Sequence, residues 1–225
     1  MDIDVKFTEC NYNLNQIRRF NPDPYYVNHF LQEFLQDVMD VYDGIFEEAC
    51  RDFGLFVLGK PTKTKFEKNA KEKNDKSALE FFTWFEKNYK NEHDAPYPKF
   101  IDKVISVIKK DGELPKLTIK MLAKDKYKDD VVQEIKVGTG NEKISLEELQ
   151  VEIARRAPIF LQIINQKRKE NSEPKVSEKQ IVASTFLGLS NLESVEIPYA
   201  CETYLPVLQR IVTESKEKIK RLSRG

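Results

Sequence analysis

Between Asn21 and Phe56 the apolar residues Val27, Phe30, Leu31, Phe34, Val38, Val41, Tyr42, Ile45, Ala49 and Phe53 recur at steps of three and four. That spacing predicts an α-helix, and Leu35, Met39, Phe46 and Cys50 widen its apolar side until several other helices are needed to cover it. Asp23 before Pro24 supplies a cap and a first-turn proline, and Gly54 supplies a stop. At about 1.5 Å per residue the helix would run about 45 Å. Gly44 is a candidate bend. Ahead of it, Ile3, Phe7, Cys10, Leu14 and Ile17 predict a first helix ending before Pro22, and the short Asn-Pro-Asp-Pro link makes the two an antiparallel pair.

The rest of the chain is punctuated by changes of period. Lys60 to Lys76 holds seven lysines against Glu67, Glu72 and Asp75, and reads as a solvated loop or helix surface. From Ser77, the residues Leu79, Phe82, Trp84, Phe85 and Tyr89 predict a short aromatic helix with Trp84 as a core anchor. His93 falls in a proline-containing loop, followed by a fourth helix through Phe100, Ile101, Val104, Ile105 and Ile108 to Gly112. Beyond Pro115, Leu117, Ile119 and Met121 alternate with Thr118, Lys120 and Leu122, and a second alternation runs from Val131 to Val137. Together they predict an antiparallel hairpin over about 117–137, closed by Gly138 to Asn141. Ser145 with Glu148 forms a capping box for a helix to about residue 169, bent or divided at Pro158. The stretch from Ile181 to Leu189 has no decisive period and is either a buried helix turn or a strand. A last helix carries Tyr204, Leu205, Leu208, Ile211, Val212, Ile219 and Leu222, with Pro206 in its first turns or at a kink.

This pattern gives a mainly α fold, an antiparallel helical bundle with an inserted β-hairpin and an additional helix. The 225 residues suit one domain. Its bundle core is expected from 1–112 and 198–222, and its insertion from 113–197. Phe34, Val38, Ile45, Phe82, Trp84, Ile105 and Leu208 are expected to share one core. Lysine plus arginine and aspartate plus glutamate both number 37, so any nucleic-acid surface must be local. Cys10, Cys50 and Cys201 lie far apart among apolar neighbours, as buried free thiols do, and no CxxC occurs. No apolar run reaches the roughly 18 residues of a membrane span, and the N-terminus lacks a signal-peptide pattern, so the expectation is a cytoplasmic protein without a membrane partner.

Two histidines, His29 and His93, are too few for most histidine-rich metal sites, and the phosphate-loop, dinucleotide, serine-hydrolase and zinc-protease motifs are all missing. No metal or cofactor is expected. Asp37, Asp40, Glu47 and Glu48 read as carboxylates on a solvated helix face, and His29 as a packed or edge histidine. The order of elements, with a long helix ending DFGLF, then FFTWFEKNYK, a proline-rich step, FIDKVISVIKKDG and a final long helix, resembles the HEPN superfamily of helical bundles over Ile3 to Gly112 and Pro198 to Leu222. That superfamily is named for nucleotide binding. Its catalytic members are metal-independent ribonucleases with an arginine four to six residues before a histidine, which would polarise phosphate and move protons at the ribose. Here FIDKVISVIKKDG holds no histidine, and the only basic residue suitably placed before a histidine is Lys87, ahead of His93.

The resemblance therefore implies a non-catalytic bundle acting by association with itself, a protein partner, or RNA or nucleotide phosphate. Lys60, Lys63, Lys65, Lys68, Lys109 and Lys110 are the candidate phosphate contacts. The alternatives are a ribonuclease using His93 and Lys87, and an accessory structural protein.

Overall fold

The computed structural model describes residues 2–93, 95–112, 114, 116–124, 130–135, 145–188 and 194–224, with backbone alone for His93 and 130–135. Among the described residues seven α-helices and four strands follow in order. They are α1 Ile3–Phe20, α2 Pro24–Asp52, α3 Lys63–Glu72, α4 Lys76–His93, α5 Pro96–Asp111, β1 Leu117–Ala123, β2 Asp130–Ile135, α6 Leu146–Glu170, β3 Ile181–Leu187, β4 Val195–Glu196 and α7 Ile197–Leu222. The chain is mainly helical with an inserted hairpin, as its periodicity predicts. It forms two compact units, one of residues 1–15, 31–112 and 200–225, the other of 16–30 and 113–199.

The helical unit is built round α2. Asp23 caps its first turn, accepting from the Tyr25 amide at 2.9 Å, and Gly54 turns the chain away at φ +61°. Gly44 makes a close approach rather than a bend: a Cβ there would stand 2.8 Å from Ile3 Cγ1. Near the same helix pair, Asp37 is buried, against the expectation of a solvated face, because it is answered. Lys6 Nζ reaches it at 3.2 Å and the Asn13 side-chain amide donates to it at 2.8 Å. Burial still lifts the Asp37 carboxyl above its ordinary range, while Glu9 and Asp37 hold Lys6 charged.

The lysine segment is mostly helix. Thr62 caps α3, and Phe66 and Ala70, one turn apart, are buried. Phe66 meets Phe46 of α2 and Phe81 of α4 at ring separations of 5.5 and 5.8 Å. In α4, capped by Asp75 through the Ala78 amide, Ala78, Phe81 and Phe85 are buried. Phe82 and Trp84 are only half-buried, which corrects their place in the expected core, whereas Phe34, Val38, Ile45, Ile105 and Leu208 are buried. The helix continues through His93, so that residue does not lie in a loop as its sequence neighbours suggest. α7 starts at Ile197, leaving Pro206 inside a continuous helix rather than near its start.

In the second unit the hairpin becomes part of an antiparallel sheet in the order β2-β1-β3-β4, so the ambiguous 181–189 stretch supplies a strand. Lys136, Val137 and the predicted closing turn Gly138 to Asn141 lie outside the described residues. Ile119, Met121 and Ala123 of β1 point to one face and pack with Leu149, Phe160 and Ile164 of α6, which runs unbroken through Pro158. Asn21 closes an open edge of β3: its carbonyl accepts from the Thr185 amide and hydroxyl, both at 2.9 Å, and its amide donates to Ser184 at 3.0 Å.

Candidate anion-binding cleft

A surface cleft of about 550 Å³ lies among α3, α4 and α5 of the helical unit, lined by Lys63, Glu86, Lys87, Tyr89, Lys90, Lys99 and Asp102. Local sequence places every one. Lys63 follows the α3 cap. Glu86, Lys87, Tyr89 and Lys90 are consecutive-turn neighbours on α4, whose buried Phe85 sets their register. Lys99 lies in the first turn of α5, beside the buried Pro98 and Phe100.

The carboxylates of the cleft are already engaged. Glu86 stands 2.7 Å from Lys63 Nζ, and Asp102 accepts from the Tyr89 hydroxyl at 2.9 Å. Burial pushes the Tyr89 phenol well above its ordinary range, so it stays a neutral donor. Its ring meets Tyr42 at 5.3 Å, and the Tyr42 hydroxyl bonds the Tyr204 hydroxyl at 3.0 Å, which ties the cleft floor to the core. Lys87, Lys90 and Lys99 are exposed, and among the described residues none has a carboxylate partner. Three lysines outside the cleft are answered by carboxylates: Lys60 by Asp40 and Asp43 at 2.6 and 3.0 Å, Lys71 by Glu67 at 2.6 Å, and Lys218 by Glu80 at 2.6 Å. Four lysines against two committed carboxylates leave a local positive field in a chain whose net charge is zero. Such a cleft can hold anions through ammonium groups.

The sequence candidates divide accordingly. Lys63 and Lys87 meet in the cleft. Lys60 is consumed by two aspartates, Lys65 donates to the Leu58 and Lys60 carbonyls, and Lys68 lies 3.8 Å from Glu72 on exposed surface. Lys109 and Lys110 are exposed at the far end of α5 and do not line the cleft. The side chain of His93 lies outside the described residues. Its backbone is six positions beyond Lys87 on α4, which at about 100° per residue sets the two positions about 120° apart round the helix. Lys90 and Lys99 were missed by sequence reasoning. Lys87 and Lys90 three apart on one helix were the available signal.

A second cleft, of about 350 Å³, joins Trp84 to Glu214, Glu217, Lys218 and Arg221, where the charges balance. His29 is exposed with its ring 5.0 Å from Phe30. Among the described residues no group of histidine, cysteine and carboxylate side chains is arranged to hold a metal ion, and no helix is long and apolar enough to cross a membrane. No protein-family model, curated protein or solved structure matches the chain.

Proposed function

We propose that the chain is a non-catalytic, HEPN-like helical protein that binds the phosphate groups of a nucleotide or RNA in the α3–α4–α5 cleft. The observation that carries this reading is the convergence of Lys87, Lys90 and Lys99, without carboxylate partners among the described residues, beside the Lys63–Glu86 pair. The cleft volume falls within the roughly 300–1,000 Å³ of small-ligand sites. The layout resemblance to a superfamily named for nucleotide binding supports the same chemistry.

Calorimetry with ATP, and separately with tRNA, tests it in chelator and low salt. Binding should weaken several-fold in Lys87→Ala and again in Lys99→Ala. For tRNA the affinity should fall steeply with salt, by counterion release. Equal affinity in native and variant proteins would remove the cleft, and no binding to either ligand would leave the accessory structural reading. Lys87 also belongs to the ribonuclease reading, and tRNA integrity in the same mixtures decides it. Cleavage lost in His93→Ala would establish an enzyme.

A further inference from the structure

We infer that the loop of residues 54–59 docks the protein on an anionic lipid surface by inserting Phe56 and Leu58. These are the two most exposed large apolar side chains among the described residues, at 74% and 83%. The loop is built to keep them outside. Leu55, 6% exposed, takes the inward position, and its amide bonds the Cys50 carbonyl at 2.8 Å. Gly54 and Gly59 bound the loop at φ +61° and +74°, conformations that side-chain-bearing residues rarely adopt. Lysine ammonium groups then fasten its backbone, Lys73 to the Gly54 carbonyl at 2.9 Å and Lys65 to the Leu58 carbonyl at 3.3 Å. Phe56 and Leu58, two apart in an irregular segment, therefore protrude from a braced support.

Charge identifies the occupant. Lys65 and Lys73 bond carbonyls and, among the described residues, no carboxylate, so their positive charges remain at the loop base. Two protruding apolar side chains over uncompensated cations match an apolar interior beneath anionic headgroups. A protein partner would need an apolar pocket ringed by carboxylates, and the pair alone offers far less than the area of a standard protein interface. Surface docking needs no membrane-spanning helix, so it departs from the sequence expectation of no membrane partner without requiring a span.

Vesicle sedimentation tests the inference independently of the cleft. The full chain is mixed in chelator with phosphatidylcholine vesicles, with and without phosphatidylserine. It should partition onto the phosphatidylserine vesicles and far less onto neutral ones, each lysine near the surface contributing roughly fivefold. The double substitution Phe56→Ser, Leu58→Ser should cut partitioning by roughly tenfold or more. Lys87→Ala should leave it unchanged, which separates this proposal from the phosphate-binding one. In a Phe56→Trp protein, brominated acyl chains should quench emission that the native Trp84 signal lacks. No sedimentation, equal partitioning onto both vesicles, a double variant that sediments like the native chain, or absent quenching would each overturn the proposal.

Discussion

Gly44 shows how one missing side chain fixes the packing of two helices. Glycine inside a helix costs about 1 kcal/mol relative to alanine, yet it sits in the middle of α2. The reason is Ile3, whose Cγ1 would stand only 2.8 Å from an added Cβ, closer than carbon atoms tolerate. Gly44→Ala should therefore forfeit its helix-propensity gain and destabilise by about 1 to 3 kcal/mol. In an Ile3→Ala background the overlap disappears, and the same substitution should become stabilising by up to about 1 kcal/mol. Denaturant midpoints for the four proteins would check this double-mutant cycle, and simple additivity would refute it. The sequence shows Gly44 but cannot show Ile3 above it, because that contact spans two helices. Asp37 is hidden for the same reason: Lys6 and Asn13 of α1, on another helix, make its burial tolerable. Asn21 is a third case, an ordinary turn residue by sequence whose side chain substitutes for a strand partner at Thr185. Asn21→Ala should cost about 1 to 3 kcal/mol by stranding the Thr185 amide, and faster hydrogen exchange at that amide is the direct readout.

Among elements, α1, α2, α5 and α7 were legible because each keeps an apolar stripe over several turns. The hairpin was legible because its period is two. α3 was not: its stripe is only Phe66 and Ala70 in a run of lysines, and two residues make no period. In α4 the reading places Phe85 inside correctly but takes Phe82 and Trp84 in place of Phe81, since all four are aromatic and composition cannot say which pair faces inward. Packing decides it, as Phe81 and Phe85 meet Phe46 at 6.3 and 4.9 Å. Phe81→Ala should cost about 3 to 5 kcal/mol and Phe82→Ala distinctly less. Thermal unfolding of the two variants would reveal the register, and equal losses would contradict it. β3 was ambiguous because its edge is satisfied by β1 and Asn21, partners distant in sequence. Half of the candidate site was visible as Lys63 and Lys87. Lys90 lies one turn beyond Lys87 on the same helix, a signal the sequence carries, whereas Lys99 required knowing that α4 and α5 lie side by side.

At the scale of the molecule, equal numbers of acids and bases conceal a local excess, and three buried thiols make stability depend on alkali. Cys10, Cys50 and Cys201 are free, buried members of the helical unit, as their apolar neighbours predict. Burial pushes the Cys50 thiol up to about 11 and lifts Cys10 and Cys201 further, because a thiolate in apolar packing loses its hydration. In the unfolded chain all three ionise near about 8.5. The folded state then binds more protons than the unfolded one, so stability is full below about pH 8.5 and falls as pH rises toward 11. Tyr42, Tyr89 and Tyr204 are shifted upward by burial as well, but unfolded phenols ionise only near about 10. The interval from about 8.5 to 9 therefore reports mainly on the thiols. The urea midpoint should decline across it, and Cys201→Ala, compared with its own value at pH 7, should decline less steeply. A flat midpoint over that interval, or three thiols reacting promptly with Ellman's reagent in the native protein at pH 8, would show that the cysteines are not held in the core.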